Sequence, residues 1–126
     1  MICQELMIGD LVLYKDEPIM VWEIDEYYDR INTEPDGYNS IRCIEISDIK
    51  PIPLTPEILQ QNGFELQRDK SELGTLDTYW LGSELGAFRI HRLNNGDYQF
   101  GLVKIKFVHQ LQQALRLCGI NKDIEI

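Results

Sequence analysis

Histidine, cysteine and positive charge are scarce in this chain, and each scarcity excludes something. The two histidines, His91 and His109, are far apart and form no HxH or HExxH spacing, so no hydrolytic zinc motif is present. The three cysteines, Cys3, Cys43 and Cys118, are odd in number and lack a CxxC pair. That is neither a disulfide framework nor a zinc site. Cys43 and Cys118 lie among apolar neighbours and read as small core residues. GxSxG, GxxxxGK and GxGxxG do not occur, which removes the nucleophile elbow and the phosphate-cradling loops. No apolar run approaches the ~20 residues of a membrane span. Met1–Glu5 has neither the basic start nor the apolar run of a signal peptide. The expectation is a cytoplasmic protein with no membrane contact, no cofactor and no metal, and not an enzyme.

Positive charge is rarest where negative charge is densest. Between Asp16 and Asp36 eight acids face one base, Arg30. Residues 1–53 hold twelve acids and four bases, net −8, whereas residues 54–126 hold nine acids and eight bases, net −1. The acidic half repels phosphate backbones and argues against nucleic-acid binding there.

What is present predicts a folded α+β chain. A hydrophobic share of 44% over 126 residues suits one domain, or two small subdomains that either share a core or do not. Leu6–Tyr14 reads as a strand with a Gly9-Asp10 bend. Lys15–Pro18 reads as a turn, and Ile19–Tyr28 as an alternating strand. Pro35-Asp36-Gly37 then closes a hairpin between the Tyr27 region and a strand over Tyr38–Ile46. Three or four curled strands predict an N-terminal SH3-like small β-barrel over residues 1–53. Lys50-Pro51-Ile52-Pro53-Leu54 is extended, because each proline forces its predecessor out of helix.

Residues 54–126 form an α+β half. Thr55-Pro56-Glu57 starts a helix and Asn62-Gly63 stops it. Gln67–Thr75 is polar and reads as a loop, followed by strands over 78–81, 87–93 and 97–103. At Asn94-Asn95-Gly96 a three-residue loop pairs Arg92 with Tyr98 and leaves one apolar face, with Arg89, His91 and Gln99 opposite. Lys106–Cys118 is an amphipathic helix with a stripe of Phe107, Leu111, Ala114, Leu115 and Cys118. It either packs internally or builds a homodimer. Asp123–Ile126 reads as a short edge strand.

Candidate binding residues follow from charge and aromatics together. Asp25 and Glu26 alternate along a strand and point apart, which makes them poor acid/base partners. The Asp29–Asp36 acids lack calcium-loop spacing. Adjacent strand residues face opposite ways, so one of Tyr27 and Tyr28 must look outward. Ringed by Glu23, Asp25, Glu26 and Asp29, it could engage a basic or peptide partner. His109 sits off the helix stripe beside Gln112, Gln113 and Arg116 and reads as a solvated or capping histidine, an outlying candidate. The contrasting reading is a nucleic-acid-binding regulator that uses Arg89, His91, Arg92, Lys104 and Lys106; the first half's net −8 opposes it, and nucleic acid is not the expected partner.

Three segments together carry a resemblance. They are Ile8-Gly9-Asp10-Leu11-Val12, Pro51-Ile52-Pro53-Leu54-Thr55-Pro56-Glu57-Ile58-Leu59 with Gly63-Phe64, and Ile105-Lys106-Phe107-Val108-His109-Gln110-Leu111-Gln112. In that order the chain resembles a group of small uncharacterised proteins encoded by phages and mobile elements of gut Bacteroidetes-type bacteria. Such proteins continue with further aromatics, whereas this chain reads Gln113-Ala114-Leu115-Arg116-Leu117. The resemblance implies a phage or prophage product in a bacterial cytoplasm with an unknown protein partner, and no activity.

Overall fold

Lys15 and Asp16 alone reverse the chain between β1 (Leu11–Tyr14) and β2 (Glu17–Asp25), and both take positive φ, 49° and 63°. This is the turn geometry whose twist matches that of the flanking strands. The computed structural model describes residues 3–33, 43–71, 74–82 and 88–126, with backbone alone for 69–71 and 74–76. The chain divides into two compact units. One is residues 1–52 with 107–109, the other residues 53–106 with 110–126.

In the first unit, β1 pairs with β2 from Leu11↔Met20 to Tyr14↔Glu17. Among the described residues β3 pairs with β2 only from Val21 onward, so Pro18 meets no described ladder partner on that side. β3 (Arg30–Thr33) pairs Val21↔Thr33 and then Glu23↔Asn32, so Trp22 is the extra residue of a β-bulge. β4 (Cys43–Glu45) adds to β3, and a 3-10 turn at Ile46–Asp48 leads to β5 (Ile49–Lys50), which returns to β1. The sheet order is β4-β3-β2-β1-β5, antiparallel throughout and open rather than closed. Its core is Cys3, Leu6, Val12, Ile19, Val21, Ile31, Ile44, Ile46 and Ile49.

Several expectations change here. Cys3–Glu5 is a 3-10 turn and the first strand begins only at Leu11. Asp10, preceding it, is fully buried: its carboxylate accepts from the Met7 N–H at 2.8 Å and its carbonyl from Val21 at 2.9 Å. The chain reverses after β2 at residues 26–29, adding a strand, β3, that was not expected. Pro35-Asp36-Gly37 lies outside the described residues. Cys43 is exposed because inward-facing Ile44 turns its neighbours out. Cys118, just past the helix, is exposed as well, so Cys3 is the cysteine that is buried.

The second unit begins with α1 (Pro56–Gln61), whose first turn is capped by the Thr55 hydroxyl accepting from Ile58 N–H at 3.3 Å. Asn62 ends it. Within the expected loop over 67–75, residues 67–71 and 74–75 are instead strand: β6 (Glu65–Ser71) pairs with β7 (Gly74–Leu81) along its full length, Glu65↔Trp80 to Ser71↔Gly74. β8 (Phe88–Arg92) and β9 (Tyr98–Phe100) pair in the three-residue-loop register, Arg92↔Tyr98, with Gly96 at φ 90°. That left-handed conformation suits glycine. A turn at Gly101-Leu102 cuts the expected 97–103 strand and starts β10 (Val103–Ile105). The five strands form an antiparallel meander, β10-β9-β8-β7-β6.

One face of this sheet carries the buried Tyr79, Phe88, Ile90, Tyr98 and Ile105. Phe88 stacks on Phe100 at 4.8 Å between centroids and meets Phe64 edge-on at 6.2 Å. α2 (Val108–Leu117) buries Val108, His109, Leu111, Gln112, Ala114 and Leu115. Compared with the expected stripe, the buried face is rotated toward Val108 and away from Cys118. Residues 123–126 form no strand. The Asn62 side chain substitutes for one: its amide donates to Glu125 O and accepts from Glu125 N, each at 2.7 Å, and also donates to Ile58 O at 2.7 Å.

Candidate functional site

The hairpin tip between β2 and β3 is built by one carboxylate. Asp25 Oδ1 accepts from the backbone N–H of Tyr27 at 3.1 Å and of Tyr28 at 3.2 Å, an Asx-type turn. Asp29 closes it at φ 50°, and its carbonyl accepts from Ile46 N–H at 2.9 Å. Arg30 Nε binds Glu45 Oε1 at 2.9 Å, and Asn32 Nδ2 donates to Glu23 Oε2 at 3.0 Å. These bonds tie the tip to the ends of β2, β3 and β4.

On that frame both tyrosines face solvent, Tyr27 at 86% and Tyr28 at 60% exposure. The alternation rule, which sends one inward, fails because residues 26–29 are turn rather than strand. The rings meet edge-to-face at 4.7 Å and 85°, and the Arg30 guanidinium lies 5.5 Å from the Tyr28 centroid. Glu23, Asp25, Glu26 and Asp29 are all exposed around them. The structure therefore brings the six candidate residues of residues 23–29 onto one hairpin end. Trp22, at 42% exposure on the adjoining bulge, adds a third aromatic. Cys3 Sγ lies 3.9 Å from Asp29 Oδ1. Burial pushes this thiol's pKa up, and the carboxylates of Asp29, Glu26 and Asp25 add to the rise. It is a poor nucleophile.

His109 is not part of this tip, nor is it solvated. It is 2% exposed, parallel to the Phe107 ring at 5.9 Å, and its Nδ1 has no hydrogen-bond partner. Burial lowers its pKa, while the charges of Asp10 and Glu5 pull it the other way. Position off an apolar stripe did not expose it, because the buried face of α2 is wider than that stripe.

The basic residues of the second half are divided. Register places Arg89 beside Trp80, and His91 in line with Gln99 and Lys104, on the sheet face opposite Tyr79 and Ile90. The Arg89 guanidinium sits 5.1 Å from the Trp80 centroid, and His91 Nδ1 is 2.9 Å from the Thr78 hydroxyl. Arg92 belongs to the other face, and Lys106 Nζ lies 3.7 Å from Asp97. Among the described residues no group of three or more His, Cys, Asp or Glu could hold a metal ion, and no helix is long and apolar enough to cross a membrane. Comparison with known proteins gives no match to any family model, curated protein or solved structure.

Proposed function

We propose that this chain is a non-enzymatic protein-binding module that engages a basic partner through the β2–β3 hairpin tip. The observation that carries the reading is the exposed Tyr27–Tyr28 pair on a turn already fixed by Asp25. Exposed aromatics cost water structure when free, and a preformed turn avoids the ordering penalty on binding. Tyrosines in such positions each contribute on the order of 2 kcal/mol to an interface, whereas an exposed ion pair contributes about 0.2–1 kcal/mol. The tyrosines therefore set affinity, and Glu23, Glu26 and Asp29 set encounter rate and salt dependence.

The first unit is read as an SH3-like module. Supporting this are the order β4-β3-β2-β1-β5, the long β2 bent at Trp22 and the 3-10 turn before β5. Shape of this kind assigns no ligand by itself. The setting, a phage or prophage product in a bacterial cytoplasm, is the one the sequence resemblance implies, and three unpaired cysteines are compatible with it.

The test is affinity capture from bacterial lysate at low and high salt, followed by titration of the recovered partner. Tyr27→Ser/Tyr28→Ser is expected to weaken binding at least about 30-fold. Glu26→Lys should slow association and flatten its salt dependence. Equal binding by the double tyrosine variant would overturn the reading.

A further inference from the structure

We propose that the second sheet binds a free α-amino acid, as its zwitterion, where its buried face runs out toward the Asn94-Asn95-Gly96 loop. One cross-strand row ends there, Arg68–Asp77–Arg92–Tyr98. Unlike charges directly opposed across two strands attract one another. Asp77 and Arg92 are so opposed, yet Asp77 Oδ1 accepts from Arg68 Nε at 2.9 Å on its other side. Among the described residues the ion pairs are Arg30–Glu45, Arg68–Asp77 and Lys106–Asp97. The Arg92 guanidinium and Asp77 Oδ2 are thus left without a partner among them, although the Asp77 side chain is only 18% exposed. Both residues line an open cavity of about 430 Å³ whose remaining wall is Leu93-Asn94-Asn95-Gly96. Tyr98, next to Arg92 in the row, keeps a buried hydroxyl that also has no partner. Burial pushes its pKa up to about 12, so it remains a neutral donor.

Local charge and spacing choose the occupant. Burial raises the Tyr79 pKa, and the charges of Arg92, Asp77, Arg68 and Glu57 all act on the same hydroxyl, which puts the four in one neighbourhood. Two cations and two anions leave the site neutral. A bare anion there is opposed by Asp77 and a bare cation by Arg92, whereas a zwitterion satisfies both. Its carboxylate takes the planar fork of Arg92, and its ammonium donates to Asp77 Oδ2. On an α-amino acid both charges flank one carbon, which suits groups a single cross-strand step, about 5 Å, apart. Having no net charge, the ligand is not repelled by the net −1 of residues 54–126. The loop wall is formed in advance: Asn95 accepts from Asp97 N–H at 3.0 Å and donates to its carboxylate at 3.2 Å, and Leu93 N–H donates to Asp97 O at 2.7 Å. Binding therefore orders little that is not already ordered.

The test is a nuclear magnetic resonance titration of the whole isotope-labelled chain with each common L-amino acid in turn, at constant salt and neutral pH. Concentrations run to about 20 mM, roughly twentyfold the Kd on the order of 1 mM expected for an open site with two charged contacts. Saturable shifts should centre on the amides of Asn94, Asn95 and Gly96 and on the Arg92 Nε–H. With the natural chain, the N-acetyl derivative and the methyl ester of the best ligand should each bind about tenfold more weakly or worse, because each lacks one charge. The long-chain zwitterion ε-aminocaproate should be weakened similarly, because its charges are too far apart. Arg92→Gln and Asp77→Asn should each weaken binding about tenfold or more, and if Asp77→Asn fails to fold, the analogue series on the natural chain still decides. Absence of saturable shifts around the loop with every amino acid would overturn the proposal. So would an N-acetyl derivative or ester that binds as well as its parent, or binding unchanged in Arg92→Gln.

Discussion

His109 shows how one buried side chain couples folding to pH. Nearly all of its surface is buried and its Nδ1 lacks a partner, so adding a proton would place a charge in the interior, which burial disfavours. Burial holds its folded pKa below the ordinary histidine value of 6.5, against the pull of Asp10 and Glu5. The unfolded chain then binds the proton first as pH falls. The stability His109 contributes is full above pH 6.5 and is lost as pH drops toward its folded pKa. The slope approaches at most about 1.4 kcal/mol per pH unit. Urea denaturation between pH 7.5 and 5.5 should show this slope in the natural chain, and His109→Phe should flatten it. Identical slopes in the two proteins would mean that His109 takes up its proton in the folded chain at the same pH as in the unfolded one. Asn62 shows the complementary case: a buried amide whose three 2.7 Å hydrogen bonds leave little unpaired.

Among the elements, the β1–β2 turn carries identifiable strain. Lys15 and Asp16 both sit at positive φ, where a side chain costs on the order of 1 kcal/mol per residue, less for aspartate than for lysine. Lys15→Asn/Asp16→Gly replaces them with the pair that this turn favours. The exchange forfeits the Lys15–Tyr14 cation–π contact, worth about 0.5 kcal/mol at an exposed site. A net gain of about 1 kcal/mol is expected, read as a higher urea midpoint with an unchanged m-value. This turn also marks what was legible. The apolar alternation of β2, the Thr55 cap and the Gly96 register all follow from side-chain pattern and turn chemistry. β6 does not, because it is an edge strand whose polar residues need no buried face, so its sequence carries no period. β3 was hidden because the turn before it uses Asp25 capping and a positive-φ Asp29 in place of Gly or Pro. The tip's acids and tyrosines were legible as a group. Their common exposure was not, since it depends on where strand ends and turn begins.

At the scale of the whole molecule, chain order and compactness part company at the start of α2. Residues 107–109 belong with the first unit although they lie far along the chain, and the Val108 N–H donates to Ile52 O at 2.9 Å. Helical periodicity reports which side of a helix is apolar, not which part of the chain it serves, so this assignment could not be read from residues 106–118. A chain ended at Pro53 therefore lacks a buried valine and a buried histidine, and leaves the Ile52 carbonyl without its partner. Burial of one valine is worth about 1.5–3 kcal/mol, a large share of what so small a unit can retain. Residues 1–53 alone are expected to lack the cooperative thermal transition that circular dichroism should show for the full chain. Their amide protons should exchange within the dead time rather than over hours. Cooperative melting of this fragment near the temperature of the full chain would show that the five strands suffice, and that Val108 and His109 contribute no more than surface contacts.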